Sequence, residues 1–310
     1  MRYLSKIKIL SLCLLISISA CNKSDEFDYN PTKLSLAQKI ETLKNPKDDF
    51  VLVVAHRGNW REAPENSIAS IQSSIDIGVD IVEIDVRKTS DGHLILMHDS
   101  DVNRTTNGSG TVSSKTLAEI KELLLVNRYG IVTNERIPTL KEAMQTAKGK
   151  IIVMVDKAND YFKETYEVLK ETQTLNQALF IEFYQYREAI SVMSYDLFQN
   201  SLYVPRIKEN VDNNSSYINP FIENDAAHAF EIRFSTANSH TLKVIPQLKE
   251  ANISIWMTAI ENDMVAGYTD RVSLTYPELG WGKCIALGAN VLMSDYPENL
   301  IKYLSENNKH

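Results

Sequence analysis

Ala55-His56-Arg57-Gly58, the pair Glu83/Asp85, His98-Asp99 and Asp156 are the residues whose types and placing could do chemistry. Glu83 and Asp85 stand two apart in a Val/Ile run, so on a strand both point to one side. With Asp156 they give three carboxylates and no thiolate, a donor set suited to Ca²⁺ or Mg²⁺ better than to Zn²⁺. Three such acids held close repel one another unless a cation is present or one is protonated. His56 and His98 make an acid/base pair. Breaking a phosphodiester needs one group to take a proton from the nucleophile and another to give one to the leaving alkoxide, and imidazole does both near neutral pH. Arg57 can clamp a non-bridging phosphate oxygen. One charged residue inside an apolar run is often a satisfied structural group. Four successive runs ending in such residues point to a site.

The elements that must position these residues alternate. Short β-branched runs fall at 50–55, 81–86, 94–97, 151–156, 178–183, 202–204, 229–234, 254–258 and 291–293. Amphipathic stretches at 67–77, 117–124, 140–147, 161–172, 186–196, 241–251 and 297–305 read as helices. This alternation predicts βαβ units and a parallel sheet. Seven residues separate Val86 from Leu94, and Ser90-Asp91-Gly92 among them is a turn signal. That gap is too short for a parallel crossover, so 94–97 is expected to fold back antiparallel. The other eight strands fit a TIM (β/α)8 barrel with a β-hairpin after strand 2. The polar residues then collect at the strands' C-terminal ends, the catalytic face of such barrels. A doubly wound sheet would want a G-x-G-x-x-G turn after its first strand, and Arg57-Gly58-Asn59-Trp60 does not supply it.

Residues 1–20 read as a secretory signal: Arg2, Lys6 and Lys8 precede an apolar run from Ile9 to Ile18 that is too short to span a bilayer. Ser19-Ala20-Cys21 resembles a bacterial lipobox, which makes Cys21 the lipidation site. Residues 21–45 are then a polar tether, within which the acidic stretch 24–28 also resembles an outer-surface export signal. The globular domain is expected over 46–310. The chain carries 33 Lys+Arg against 40 Asp+Glu, a net charge of −7, with no basic-aromatic stripe, so nucleic-acid binding lacks its electrostatic footprint. Membrane contact is expected through the lipid on Cys21, with the protein in the cell envelope, on the periplasmic or the exterior face. Cys284 has no partner cysteine nearby and reads as a buried small residue. His93 follows the Ser90-Asp91-Gly92 turn and reads as exposed, while His228, His240 and His310 have no motif neighbours and read as surface or structural residues.

Several motifs together resemble the glycerophosphodiester phosphodiesterase family. They are His56-Arg57-Gly58, Pro64-Glu65-Asn66-Ser67, Val82-Glu83-Ile84-Asp85-Val86, Ser90-Asp91-Gly92 and Met97-His98-Asp99. Arg104-Thr105-Thr106-Asn107-Gly108-Ser109-Gly110, Ile137-Pro138-Thr139-Leu140, Gly288-Ala289-Asn290 and Ser294-Asp295-Tyr296-Pro297 extend the match. The resemblance is dense in the first half and sparse in the second. It implies a TIM barrel with a small insertion at about 100–135, and hydrolysis of glycerophosphodiesters to glycerol 3-phosphate and an alcohol with one divalent cation. It implies His56 and His98 as the acid/base pair, and Glu83 and Asp85 as metal ligands. Arg57 becomes the phosphate contact, with Glu65 and Asn66 bordering the site. The family's third ligand is a Glu with Lys two residues on; here Asp156-Lys157 stands in that place. Asp156 is the candidate ligand and Lys157 the candidate second phosphate contact, although strand alternation turns adjacent residues to opposite sides. Trp256 is expected in the core or on the wall of the substrate pocket, where the resemblance places it. A phospholipase C- or D-like activity on lysophospholipids or inositol phospholipids, and a binding lipoprotein without catalysis, are the alternative readings.

Overall fold

The computed structural model describes residues 33–47, 49–207, 209 and 214–310. The signal, the lipidation site Cys21 and most of the expected tether lie outside them. The strands are β1 (Leu52–Ala55), β2 (Ile81–Lys88), β3 (Leu94–Leu96), β4 (Leu124–Val126), β5 (Val132–Arg136) and β6 (Ile152–Asp156). They continue as β7 (Ala178–Glu182), β8 (Leu202–Ile207), β9 (Ala229–Ile232), β10 (Ser254–Thr258) and β11 (Val291–Ser294). β1, β2 and β6 to β11 pair in parallel in that order, and β11 returns to β1, so eight strands close a barrel. β3 pairs antiparallel with β2, Val86 opposite Leu96, as the short gap predicts. The TIM barrel expected from the alternation is the fold observed.

Strand parity sorts the barrel's interior into layers. Leu52, Val54, Ile81, Ile152, Met154, Leu179, Ile181, Leu202, Val204, Ala229, Trp256, Val291 and Met293 form one buried cluster. They alternate along their strands, as inward-facing residues must. The next inward positions toward the C-terminal ends are His56, Asp85, Asp156, Arg206, Glu231, Thr258 and Asp295. An apolar plug thus carries a polar lid built from nearly every strand.

The expected tether needs correction at its C-terminal end. Leu36–Lys44 is a helix, opened by a capping box on Ser35. Leu43 is fully buried in the barrel cluster, with Leu36 and Ile40 packed against it. Lys39 Nζ donates to the Val79 carbonyl at 2.7 Å, and Ser254 Oγ donates to the Leu43 carbonyl at 2.7 Å. Three apolar residues at helical spacing suffice to close the barrel's N-terminal end, although the segment is polar on average.

Between β3 and the helix Leu140–Ala147 lie the helix Leu117–Glu122 and the hairpin of β4 and β5. Ile95, Met97, Val102, Val112, Ile120, Leu125 and Ile137 give this stretch a small core of its own. The helix expected over 186–196 breaks at Ser194, whose φ is +73°. The one over 241–251 begins as a 3₁₀ turn, His240–Val244, and becomes α-helical at Ile245. Among the described residues no helix is long and apolar enough to cross a membrane. Cys284 is buried and unpaired, and burial pushes its thiol up to about 12.

Candidate active site

The parallel register sets Asp85 on β2 opposite Asp156 on β6, with Glu83 one inward step below. Glu83, Asp85 and Asp156 each offer an oxygen within 4.8 Å of the others'. Glu83 and Asp85 are 2% and 1% exposed, so water does little to screen the crowding. Burial raises the Glu83 carboxyl well above its ordinary range, and the charges of Asp85 and then Asp156 raise it further. A cation between these oxygens removes that penalty.

The neighbours hold the acids in place. The Arg57 N–H donates to Glu83 Oε2 at 2.6 Å, and Asn66 Nδ2 donates to Asp85 Oδ2 at 2.8 Å. Asn66 Oδ1 accepts from the Asp85 N–H at 2.9 Å, so one amide clamps the aspartate twice. Arg57 and Asn66 both have left-handed backbones, φ +55° and +56°. Such strain at non-glycine residues clusters at functional sites. Arg57 Nε is buried with no hydrogen-bond partner, a donor directed at an acceptor the protein does not supply. Asp85 Oδ2 stands 3.8 Å from it, beyond hydrogen-bond reach.

Lys157 does not follow the alternation rule. Its φ of +59° takes it out of extended geometry just past β6. Its Nζ comes to 3.2 Å from Asp85 Oδ1 and 3.7 Å from Asp156 Oδ2. The side chain therefore reaches the same cluster as Asp156 instead of turning away from it.

Each histidine is held through Nδ1 by an aspartate. His56 Nδ1 lies 2.8 Å from Asp295 Oδ1, which also accepts from Trp60 Nε1 at 2.8 Å. The His98 Nδ1 partner is Asp99 Oδ1 at 2.7 Å. With Nδ1–H given to a carboxylate, Nε2 is the nitrogen free to exchange a proton with a ligand. Burial is the largest single influence on the Asp295 carboxyl and raises it, but the bond to His56, the His56 charge, the Trp60 bond and the Arg61 charge together bring it below its ordinary value. The Asp295 N–H donates to Asp270 Oδ2 at 2.7 Å, and Asp270 also accepts from Trp281 Nε1 and Ser294 Oγ. Burial outweighs those bonds and pushes the Asp270 carboxyl up to about 7. Asp99 is held well below the carboxylate range by Arg104, whose guanidinium also binds both oxygens of Glu65 at 2.7 and 2.8 Å. Glu65 in turn accepts from Arg57 Nη1 at 3.1 Å. Glu65, expected only to border the site, links the two halves of the constellation.

Sequence reasoning missed the roles of Asp295, Asp99, Asp270 and Arg104. Asp295 and Asp99 stood inside recognised motifs, but their partners depend on chain closure. The second half adds a group with no motif at all. Glu231, 1% exposed, accepts from Arg206 Nε, from Arg233 Nε at 2.8 Å and from Thr258 Oγ1 at 3.0 Å. Trp256 is corrected: it is fully buried in the apolar layer beneath Thr258 and does not wall the cleft. His93 and His240 are exposed. His228 holds the backbone N–H of Tyr203 at 3.1 Å, and His310 pairs with Asp80. A cleft of about 460 Å³ opens over this face, with His56, Arg57, Glu65, Arg104 and Asp295 on its floor and sides.

The chain is similar to several known proteins. A model described as the glycerophosphoryl diester phosphodiesterase family matches residues 56–197, and one described as a domain of unknown function matches 203–304. A glycerophosphodiester phosphodiesterase of Caldanaerobacter subterraneus subsp. tengcongensis is 47% identical over 100 residues, 32% of this chain and 41% of that protein. Human glycerophosphodiester phosphodiesterase 1 is 32% identical over 148 residues, 47% of this chain and 44% of that one. The chain thus matches less than half the length of these relatives. A glycerophosphoryl diester phosphodiesterase structure from Parabacteroides distasonis superposes with TM-score 0.73 at 24% identity, covering 89% of this chain and 93% of that one. An Oleispira antarctica phosphodiesterase, solved with its product sn-glycerol-3-phosphate, gives TM-score 0.62 at 24% identity, covering 83% and 97%. At that identity the two structures speak for the fold.

Proposed function

We propose that this chain, which through residues 56–197 belongs to the glycerophosphoryl diester phosphodiesterase family, hydrolyses glycerophosphodiesters to sn-glycerol 3-phosphate and an alcohol. The observation that carries the reading is the crowding of Glu83, Asp85 and Asp156 beside the unpartnered Arg57 Nε. The donor set fits one hard divalent ion, Ca²⁺ or Mg²⁺, held by those three carboxylates. When bound, that ion supplies positive charge to a phosphate oxygen. Arg57 and Lys157 hold the remaining phosphate oxygens and offset the charge that builds up on them. One of His56 and His98 takes a proton from the attacking group at Nε2, and the other gives one to the leaving alkoxide. Asp295 and Asp99 keep the two rings in the tautomer this exchange requires.

The test is product analysis on glycerophosphodiesters that differ in the alcohol. Glycerol 3-phosphate is expected from each member that reacts. A phosphorylated headgroup as product, with free glycerol, would replace this reading with a cut on the other side of phosphorus. Saturable binding without turnover would make the chain a binding protein. The lipobox-like Ser19-Ala20-Cys21 extends the proposal to a lipid-anchored enzyme of the cell envelope. Incorporation of labelled fatty acid that Cys21→Ser abolishes is the expected outcome.

A further inference from the structure

The β4–β5 hairpin is at once a wall of the cleft and an apolar tip left in water. Val126, Asn127, Arg128 and Gly130 line the cleft. Between and just beyond them Tyr129 is 70% exposed, Ile131 61% and Val132 47%. The tip is a built turn. Asn127 Oδ1 accepts from the N–H groups of Tyr129 and Ile131 at 3.0 and 3.1 Å, and Gly130 takes φ +74°. Turns of this kind ordinarily carry polar residues, and clustered exposed apolar side chains mark contact sites.

The chemistry of the tip selects its occupant. The Arg128 guanidinium lies 4.7 Å from the centre of the Tyr129 ring, and its Nη2 donates to the Tyr129 hydroxyl at 2.6 Å. Its partner is thus a phenol and not a carboxylate, which leaves the charge for an anion. A stable protein interface needs about 800 Å² on each side, and three side chains at a convex apex supply only a few hundred. Aromatic and aliphatic side chains beside a guanidinium suit a bilayer boundary, where rings and alkyl groups enter and the cation meets lipid phosphate.

We propose that the β4–β5 tip docks the mouth of the cleft on a phospholipid bilayer, so that the diesters it takes include ones carrying an acyl chain. The substrate clause rests on the phosphodiesterase reading; the docking clause does not, and neither uses lipid on Cys21. The test uses the full chain with Cys13→Ser and Cys21→Ser, and a polarity-sensitive thiol dye attached through Ile131→Cys, with Lys170→Cys as control. Cys284 is buried and stays unlabelled. On vesicles of phosphatidylethanolamine and phosphatidylglycerol the dye at 131 shifts to the blue and the dye at 170 does not. In parallel, Tyr129→Ser with Ile131→Ser raises KM for vesicle-borne lysophosphodiester about tenfold. The same pair leaves kcat/KM on a water-soluble glycerophosphodiester unchanged. No shift at 131, or a shift that follows protein concentration without lipid and so reports a second copy, overturns docking. If neither diester is hydrolysed, the phosphodiesterase reading fails while the dye still decides the docking.

Discussion

Asp295 is the residue on which the orientation of His56 depends, through a 2.8 Å contact across 239 residues of sequence. Asp295→Asn exchanges the carboxylate for an amide that can present a donor to Nδ1 and so favour the wrong tautomer. We expect kcat to fall about 10²- to 10⁴-fold with KM little changed. A loss under tenfold would make the pair structural. Asp270 behind it gives a pH signature. Its folded-state carboxyl is raised to about 7 from an ordinary 3.8, so folding binds its proton more tightly. That contribution to stability is complete below pH about 4 and lost as pH rises through about 7. Thermal melts should show a smaller fall in Tm from pH about 5 to about 8 in Asp270→Asn than in the parent. The identities of His56, His98, Glu83, Asp85 and Asp156 were legible because each ends or interrupts an apolar run. The aspartates behind the histidines were not, since a carboxylate's partner is set by which strands close the ring.

The turn between β1 and the helix Ile68–Asp76 positions Arg57, Glu65 and Asn66 together. Gly58 in it has φ +76°, and a Cβ there would stand 2.4 Å from Ser70 Oγ. Ser70 is fully buried and bonded to Ser67, so it has little room to move. Gly58→Ala should cost about 1–3 kcal/mol in urea unfolding and lower activity as well, because the Arg57 N–H shifts off Glu83. An unchanged midpoint would mean the turn relaxes freely. At this scale the alternation rule succeeded for Glu83 and Asp85 and failed for Lys157. A rule of period two assumes extended backbone, and the left-handed φ at Lys157 is invisible in residue type. The helix at Leu36–Lys44 was hidden for a different reason, three apolar residues diluted by polar neighbours.

The whole barrel was legible from strand-helix alternation and the short β2–β3 gap, because both follow from periodicity and loop length. Its second-half interior was not. Arg206 on β8 and Thr258 on β10 converge on Glu231 together with Arg233, two residues further along the chain, and no local pattern announces the meeting across strands. Two guanidiniums share one buried carboxylate, so Glu231→Gln leaves both without their anion. We expect a loss of roughly 3–5 kcal/mol in denaturant unfolding. A loss below 1 kcal/mol would show that the arginines find other partners. The central claim, that the barrel's C-terminal face is a cation-dependent phosphodiester site, meets its most direct test in chelator-stripped protein. Release of glycerol 3-phosphate should vanish on stripping, return with Ca²⁺ or Mg²⁺ to saturation at one ion per chain, and fail to return in Asp156→Asn. Full turnover in excess chelator would contradict the account.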